Sequence, residues 1–269
     1  VYRENLMPTV QTSVGPLWYL DAGEGRPIVL IGGLGAAAAT WQTVQRRLSK
    51  RWRVICFDNP GVGQSLLPDR TFSLEDIAQA AAELIAHLDL LDVLVVGHSM
   101  GGCIAMALAG LHPGLIAGVV LANTLAVPAE DRALHFETLQ QKRRELPLEQ
   151  WYEMFYEQML TPKRYANEAY RRAIVSYAMM QPQSDESFTR QMQALLAFDG
   201  REHLKALQRA GIPTLLLSSD HDRLIPAERT FSMLKNPAGT VLLRDAGHAS
   251  YIENYRDFCA AVVAFGDRV

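Results

Sequence analysis

Cysteine is scarce in this chain of 269 residues: Cys56, Cys103 and Cys259 are the only three, an odd number, widely spaced, each in an apolar run. That excludes a disulfide framework and favours reduced, buried thiols in a reducing compartment. The seven histidines include no His-x-x-x-His pair, and no Cys-x-x-Cys accompanies them, so a metal site has no support. Charge of one sign is also lacking. A formal net charge of −3 offers no global attraction to nucleic acid or to an anionic membrane. Long hydrophobic runs are missing: the longest, around 115–127, is broken by Asn123 and Thr124 and is too short to span a bilayer. The opening Val-Tyr-Arg-Glu-Asn lacks the basic-then-apolar order of a signal peptide. Internal repeats and low-complexity tracts are absent. These absences lead us to expect a soluble, cytoplasmic protein whose partner is a small molecule, not nucleic acid or membrane. No feature marks an oligomeric state.

What is present is alternation. Short runs rich in Val, Ile and Leu occupy 27–32, 52–58, 92–98, 116–123, 212–220 and 240–244. They are too continuous for half-exposed strands and suit parallel strands covered on both faces. Leu17 to Leu20, followed by Asp21-Ala22-Gly23, reads as an entry hairpin. Between the runs lie amphipathic segments. The clearest opens at Ser73 with Asp76 as a capping-box partner, and Leu74, Ile77, Ala78, Ala81, Leu84, Ile85 and Leu88 follow at helical spacing. Such alternation predicts an α/β fold with a doubly wound, mostly parallel sheet. From 127 to 198 the rhythm stops, and helices punctuated by Pro128, Pro147, Pro162 and Pro182 are expected. We therefore expect a core formed by 1–126 and 199–269, with 127–198 inserted as a helical cap over the strand ends, where open sheets bind ligands.

The strongest chemical signal is Gly97-His98-Ser99-Met100-Gly101-Gly102. A nucleophilic hydroxyl needs the tip of a turn so sharp that flanking side chains would clash, and glycines two residues to either side relieve that clash. The context fits: the buried run Val93-Leu94-Val95-Val96 precedes it, and Cys103, Ile104, Ala107, Leu108 and Leu111 follow at helical spacing. That helix directs its N-terminal N–H groups at the reacting centre.

With this elbow the chain resembles the α/β-hydrolase family over nearly its whole length. The resemblance implies a nucleophile, acid, base order along the chain, and a cap between two sheet strands. After the 212–220 run comes Asp220-His221-Asp222-Arg223-Leu224-Ile225-Pro226. The family pattern puts the acid four residues before the proline, on Asp222, with Asp220 as the competitor that merely caps a turn. The alternative acid position after the preceding strand carries Asn123. The base implied is His248, in Ala246-Gly247-His248-Ala249-Ser250, with Glu253 where the family often has Glu and no proline following. His248 would take the Ser99 proton and pass it to the leaving group, while Asp222 fixes its tautomer. His98 is set aside, on the ground that a neighbouring side chain across the elbow points elsewhere. Oxyanion donors carried over are the backbone N–H groups of Met100 and of Leu34, in Gly32-Gly33-Leu34-Gly35. Gly32 stands where the family commonly has His, leaving the loop without that anchor. Asp58-Asn59-Pro60-Gly61-Val62-Gly63-Gln64-Ser65 matches a family turn read as structural.

A rival enzyme class uses some of the same residues. Gly33-Leu34-Gly35-Ala36-Ala37-Ala38 satisfies Gly-x-Gly-x-x-Ala, and Asp58 ends the next strand, as in an NAD-binding oxidoreductase. It leaves Ser99, Asp222 and His248 unexplained. A non-catalytic hydrolase-like binding protein is the other rival, but every triad position is filled. For the substrate, 127–198 holds 10 of the 22 aromatic residues and 5 of the 9 methionines. Trp151, Phe155 and Met159 recur at helical spacing, and with Met179 and Met180 they suggest an apolar, adaptable roof. The cluster Lys142-Arg143-Arg144 reads as a solvated helix face. The chain looks like the cytoplasmic carboxylesterases and enol-lactonases. The expected activity is therefore hydrolysis of an ester, lactone or thioester, without cofactor or metal. Hydrolysis of a C–C bond in a β-diketone is the alternative chemistry.

Overall fold

The computed structural model describes residues 8–269. Among these, eight strands make one sheet: β1 (Thr9–Thr12), β2 (Gly15–Ala22), β3 (Pro27–Ile31), β4 (Arg53–Phe57), β5 (Val93–His98), β6 (Ile116–Ala122), β7 (Thr214–Ser219) and β8 (Gly239–Leu243). Their order is β1-β2-β4-β3-β5-β6-β7-β8. The pairings from β4 through β3, β5, β6 and β7 to β8 are parallel, while β1–β2 and β2–β4 are antiparallel. The continuous apolar runs of β3 to β7 become strands with almost no solvent face. The run at 240–244 does not: β8 is the sheet's edge strand, with Thr240 and Leu242 exposed on one face. Val29, Ile31, Ile55, Val93 and Val95 enter one core layer, whereas Ile28, Leu30, Val54, Leu94 and Val96 enter the other. Each such side chain contributes roughly 1.5–3 kcal/mol by leaving water.

Helices cover both layers. In chain order they are α1 (Gln42–Leu48), α2 (Leu74–His87), α3 (Met100–Leu111), α4 (Pro128–Glu145), α5 (Leu148–Met159), α6 (Pro162–Tyr165), α7 (Glu168–Met180), α8 (Asp185–Ala197), α9 (Arg201–Arg209), α10 (Ala227–Phe231), α11 (Ser250–Glu253) and α12 (Tyr255–Gly266). α2, α3 and α9 pack on the first layer, α1 and α12 on the second. The capping box of α2 forms as read: the Ser73 N–H donates to Asp76 Oδ2 at 2.9 Å and the Asp76 N–H to Ser73 Oγ at 3.1 Å. The doubly wound α/β sheet is therefore the observed fold.

Two details differ from the sequence reading. The entry hairpin turns at Ser13 and Val14, before Gly15 with its φ of +96°. Asp21 and Ala22 stay in β2, where Asp21 pairs with Arg53 at 2.8 Å, so their turn-like composition serves a cross-strand ion pair. Arg143 is not solvated. Its side chain is 3% exposed; Nε donates to Asp185 Oδ1 at 2.7 Å, and the guanidinium lies 4.6 Å from the Trp151 ring centre. It pins α4, α5 and α8 together in the helical segment that joins β6 to β7. Among the described residues no helix is long and apolar enough to cross a membrane.

Candidate active site

Ser99 sits between β5 and α3 with φ 54° and ψ −123°, a conformation side chains rarely adopt. A Cβ on Gly97 would lie 2.2 Å from the Gly101 carbonyl oxygen, and one on Gly101 would lie 2.2 Å from that of Ile31. Only glycine lets strand and helix approach this closely. The turn is anchored from both sides: the Ser99 N–H donates to the Ala122 carbonyl at 2.9 Å, and Thr124 Oγ1 donates to the Ser99 carbonyl at 2.7 Å.

Asp222 lies in the loop after β7 with its side chain fully buried. Oδ1 accepts from the N–H groups of Leu224 and Ile225 at 2.9 and 2.7 Å; Oδ2 accepts from Asn123 Nδ2 at 2.8 Å and from His248 Nδ1 at 2.9 Å. Burial pushes this carboxyl up, but the His248 charge and these donors outweigh it and hold Asp222 below the usual carboxylate range. Asp220 is elsewhere: partly exposed, it accepts from the Ala246 N–H at 3.4 Å and lies 3.8 Å from Arg244.

With Nδ1 committed to Asp222, His248 leaves Nε2 buried and, among the described residues, without a hydrogen-bond partner, Ser99 included. His248 and Ser99 nevertheless wall the same small cavity, of about 40 Å³. Such contacts commonly close only around substrate. Leu34 lines that cavity too, and no described acceptor takes its N–H. Met100 is the first residue of α3, where a backbone N–H has no intrahelical acceptor.

Phe155 and Met159 line the cavity together with Phe136, Leu139 and Tyr251. Trp151 does not. It is 2% exposed, stacks on Phe155 at 4.9 Å and donates from Nε1 to the Leu139 carbonyl at 3.1 Å, so it supports the wall from behind. Met179 and Met180 are exposed on α7, away from the cavity.

Several residues that sequence reasoning passed over hold this arrangement. His98 lies beside His248, not away from it: the ring centres are 4.9 Å apart, and His98 Nε2–H donates to the His248 carbonyl at 2.8 Å. Burial, then the neighbouring His248, pushes His98 down to about 3, so it stays neutral. Asn123 donates from Nδ2 to Ser219 Oγ as well as to Asp222, and its Oδ1 accepts from Ser250 Oγ at 2.7 Å. Ser219 Oγ in turn donates to the Gly247 carbonyl at 2.5 Å. Glu253 accepts from the Gly247 N–H at 2.7 Å and from Thr161 Oγ1 at 2.8 Å; beside it the Ala249 N–H donates to the Met159 carbonyl at 2.9 Å. Both neighbours of His248 are thus tied to the end of α5 and the residues just after it. The missing histidine anchor at Gly32 is replaced: Asn59 Nδ2 donates to the Gly32 carbonyl at 3.0 Å, and Gln191 Oε1 accepts from the Gly35 N–H at 3.1 Å. The Glu near the base was visible as a family position; for Asn59 and Gln191 nothing in the sequence gave notice.

The dinucleotide motif finds no such geometry. Gly33 to Ala38 opens a single 3₁₀ turn, and the Asp58 carboxylate is used up by the N–H groups of Ala38 and Gln64 at 2.6 and 2.8 Å. Gly61 and Gly63 have φ of 77° and 54°, and Ser65 Oγ donates to the Asp58 carbonyl at 2.7 Å, a structural turn.

A family model described as alpha/beta hydrolase fold matches residues 26–255. A putative carbamate hydrolase RutD from Pseudomonas syringae pv. syringae is 30% identical over 251 residues, 88% of this chain and 92% of that protein. One of the same name from Caulobacter segnis is 37% identical over 107 residues, which covers 39% of this chain and 40% of that relative. Among solved structures, the enol-lactonase of Burkholderia xenovorans LB400 is 26% identical with a TM-score of 0.83, over 96% of this chain and 99% of the other. The chain belongs to the α/β-hydrolase fold family.

Proposed function

We propose that the protein is a serine hydrolase that cleaves a carboxylic ester, lactone or thioester of a small-to-medium apolar acyl compound through an acyl-enzyme on Ser99. The observation that carries this reading is the buried Asp222–His248 pair, with Nε2 unpartnered among the described residues, on a histidine that walls the same cavity as a strained elbow serine. Ser99 Oγ bonds to the carbonyl carbon as its proton passes to His248 Nε2. Asp222 stabilises the imidazolium, and the N–H groups of Leu34 and Met100 receive the developing oxyanion. Collapse breaks the bond to the leaving oxygen or sulfur, which takes the proton from His248. Water then repeats the sequence in reverse roles and frees Ser99.

The apolar wall of Phe136, Phe155, Met159 and Tyr251 supports an apolar acyl chain. The likeness to the enol-lactonase supports a lactone within that class. Three free, buried cysteines suit a cytoplasmic setting. The test is a screen of short esters, lactones, thioesters and β-diketones with wild type and Ser99→Ala. Turnover of an acyl–oxygen or acyl–sulfur substrate, reduced about a millionfold in the folded variant, is expected. Turnover of the β-diketone alone would move the reading to C–C hydrolysis, and most activity surviving in Ser99→Ala would reject it.

A further inference from the structure

Helix α4 carries two polar side chains for which the reaction above has no use. His135 Nε2 is buried and has no hydrogen-bond partner among the described residues. Arg132, nearly one turn earlier, is half-buried and enters no hydrogen bond or ion pair there. Buried polar atoms are paired almost without exception, so an unpaired one on a helix that walls the cavity of Ser99 is informative. Arg132 and Phe136, like His135 and Leu139, stand four residues apart and are neighbours on the helix surface. Phe136 and Leu139 are the residues by which α4 walls the cavity of Ser99 and His248. Burial first, then the charges of Arg132 and His248, hold the His135 imidazole below its ordinary value, which places both groups within electrostatic reach of it. Other arginines packed around this segment are neutralised: Arg143 by Asp185, and Arg201 by Glu130 and Asp199. Arg132 is not.

Building on the acyl-transfer reading, we propose that Arg132 and His135 form an anion subsite, so that the substrate carries a carboxylate beyond its scissile carbonyl. A guanidinium offers a planar fork that matches a carboxylate, and a neutral imidazole adds one further N–H. The apolar wall between them and Ser99 would take the methylene spacer. One cation and one neutral donor match a single carboxylate in charge.

The test uses monomethyl esters of succinic, glutaric, adipic and pimelic acids, each against a neutral methyl ester whose far end is an isopropyl group of the same shape. At one spacer length the anionic ester should show kcat/KM at least about tenfold above its isostere, and Arg132→Gln and His135→Phe should each pull that ratio toward one. Ratios near one at every length, or a ratio that survives both substitutions, would overturn the subsite. Arg132→Gln, the less buried change, carries the comparison if His135→Phe fails to fold. Calorimetric binding of the same esters to Ser99→Ala separates the two readings. Tighter binding of the anionic ester without turnover in wild type would leave the subsite and remove the chemistry; equal binding with turnover would do the opposite.

Discussion

Ser99 is held at positive φ by a turn that forbids side chains at Gly97 and Gly101, at a cost of order 1–3 kcal/mol that the packing of β5 and α3 offsets. The strain places the hydroxyl at the cavity rim, and Asp222 and His98 orient the imidazole opposite from two directions, through its ring and through its carbonyl. If Asp222 is the orienting acid, Asp222→Asn should lower kcat by about 10³–10⁴-fold, while Asp220→Asn stays within about tenfold; steady-state kinetics of the two variants decide. The reverse order would transfer the role to Asp220. His98 makes a prediction about stability. An unfolded histidine takes up a proton near 6.5, whereas the folded His98 does so only at about 3. Between those values the unfolded state binds more protons, so stability falls as pH falls. Asp222, held below its usual range, adds its loss only further into acid. Urea unfolding at pH 7 and pH 5 should therefore show a decline in wild type that shrinks in His98→Gln. An equal decline in both would contradict the assignment of His98 as a buried neutral donor.

At the scale of elements, the joint between the helical segment and the His248 turn is the Glu253 carboxylate, shared between Gly247 beside His248 and Thr161 after α5. An amide in its place offers one acceptor oxygen, and turns an N–H toward groups that themselves donate. Misplacement of a catalytic group by about 1 Å costs on the order of 100-fold. Glu253→Gln is accordingly expected to lower kcat tenfold or more with little change in KM, and Thr161→Val to do so less. A lowered melting temperature with kcat intact would make the joint purely structural. The loop after β3, proposed to supply an oxyanion donor, has a comparable joint through Gln191, which bonds the Gly35 N–H and, by Nε2, the Pro60 carbonyl at 3.0 Å. The loop is thereby tied to the helical segment at Gly35, as Asn59 ties it to the loop after β4 at Gly32.

Over the whole molecule, what could be read in advance follows from the range of the forces involved. Strands buried on both faces must be apolar throughout, and α2 must carry a stripe, so these elements were visible as runs and periods. The elbow was visible because its glycines are a local steric demand. The partners His248 and Asp222 were found through their order and spacing in a family resemblance. Their geometry then placed them in contact, 2.9 Å apart. Asn59 and Gln191 were illegible for the opposite reason, and Asn123 and His98, though named, gave no sign of the contacts they make. Each is a single polar residue whose partner lies far along the chain, and nothing local distinguishes it from a solvated side chain. Arg143 and the β1–β2 turn misled for that reason too: composition reports local preference, while an ion pair or a π-contact overrides it. Of the wall that the helical segment adds, Phe155 and Met159 were visible through 3.6-residue spacing and Phe136 and Leu139 were not; which residues face the cavity depended on packing, hence Trp151 behind Phe155.

Covalent labelling measures the reactivity of Ser99 most directly. A small alkyl fluorophosphonate, followed by peptide mass spectrometry, should leave a single adduct on the peptide containing Ser99, formed far more slowly in His248→Ala. An active, folded protein that acquires no adduct at Ser99, or acquires it on another residue with loss of activity, would contradict the mechanism.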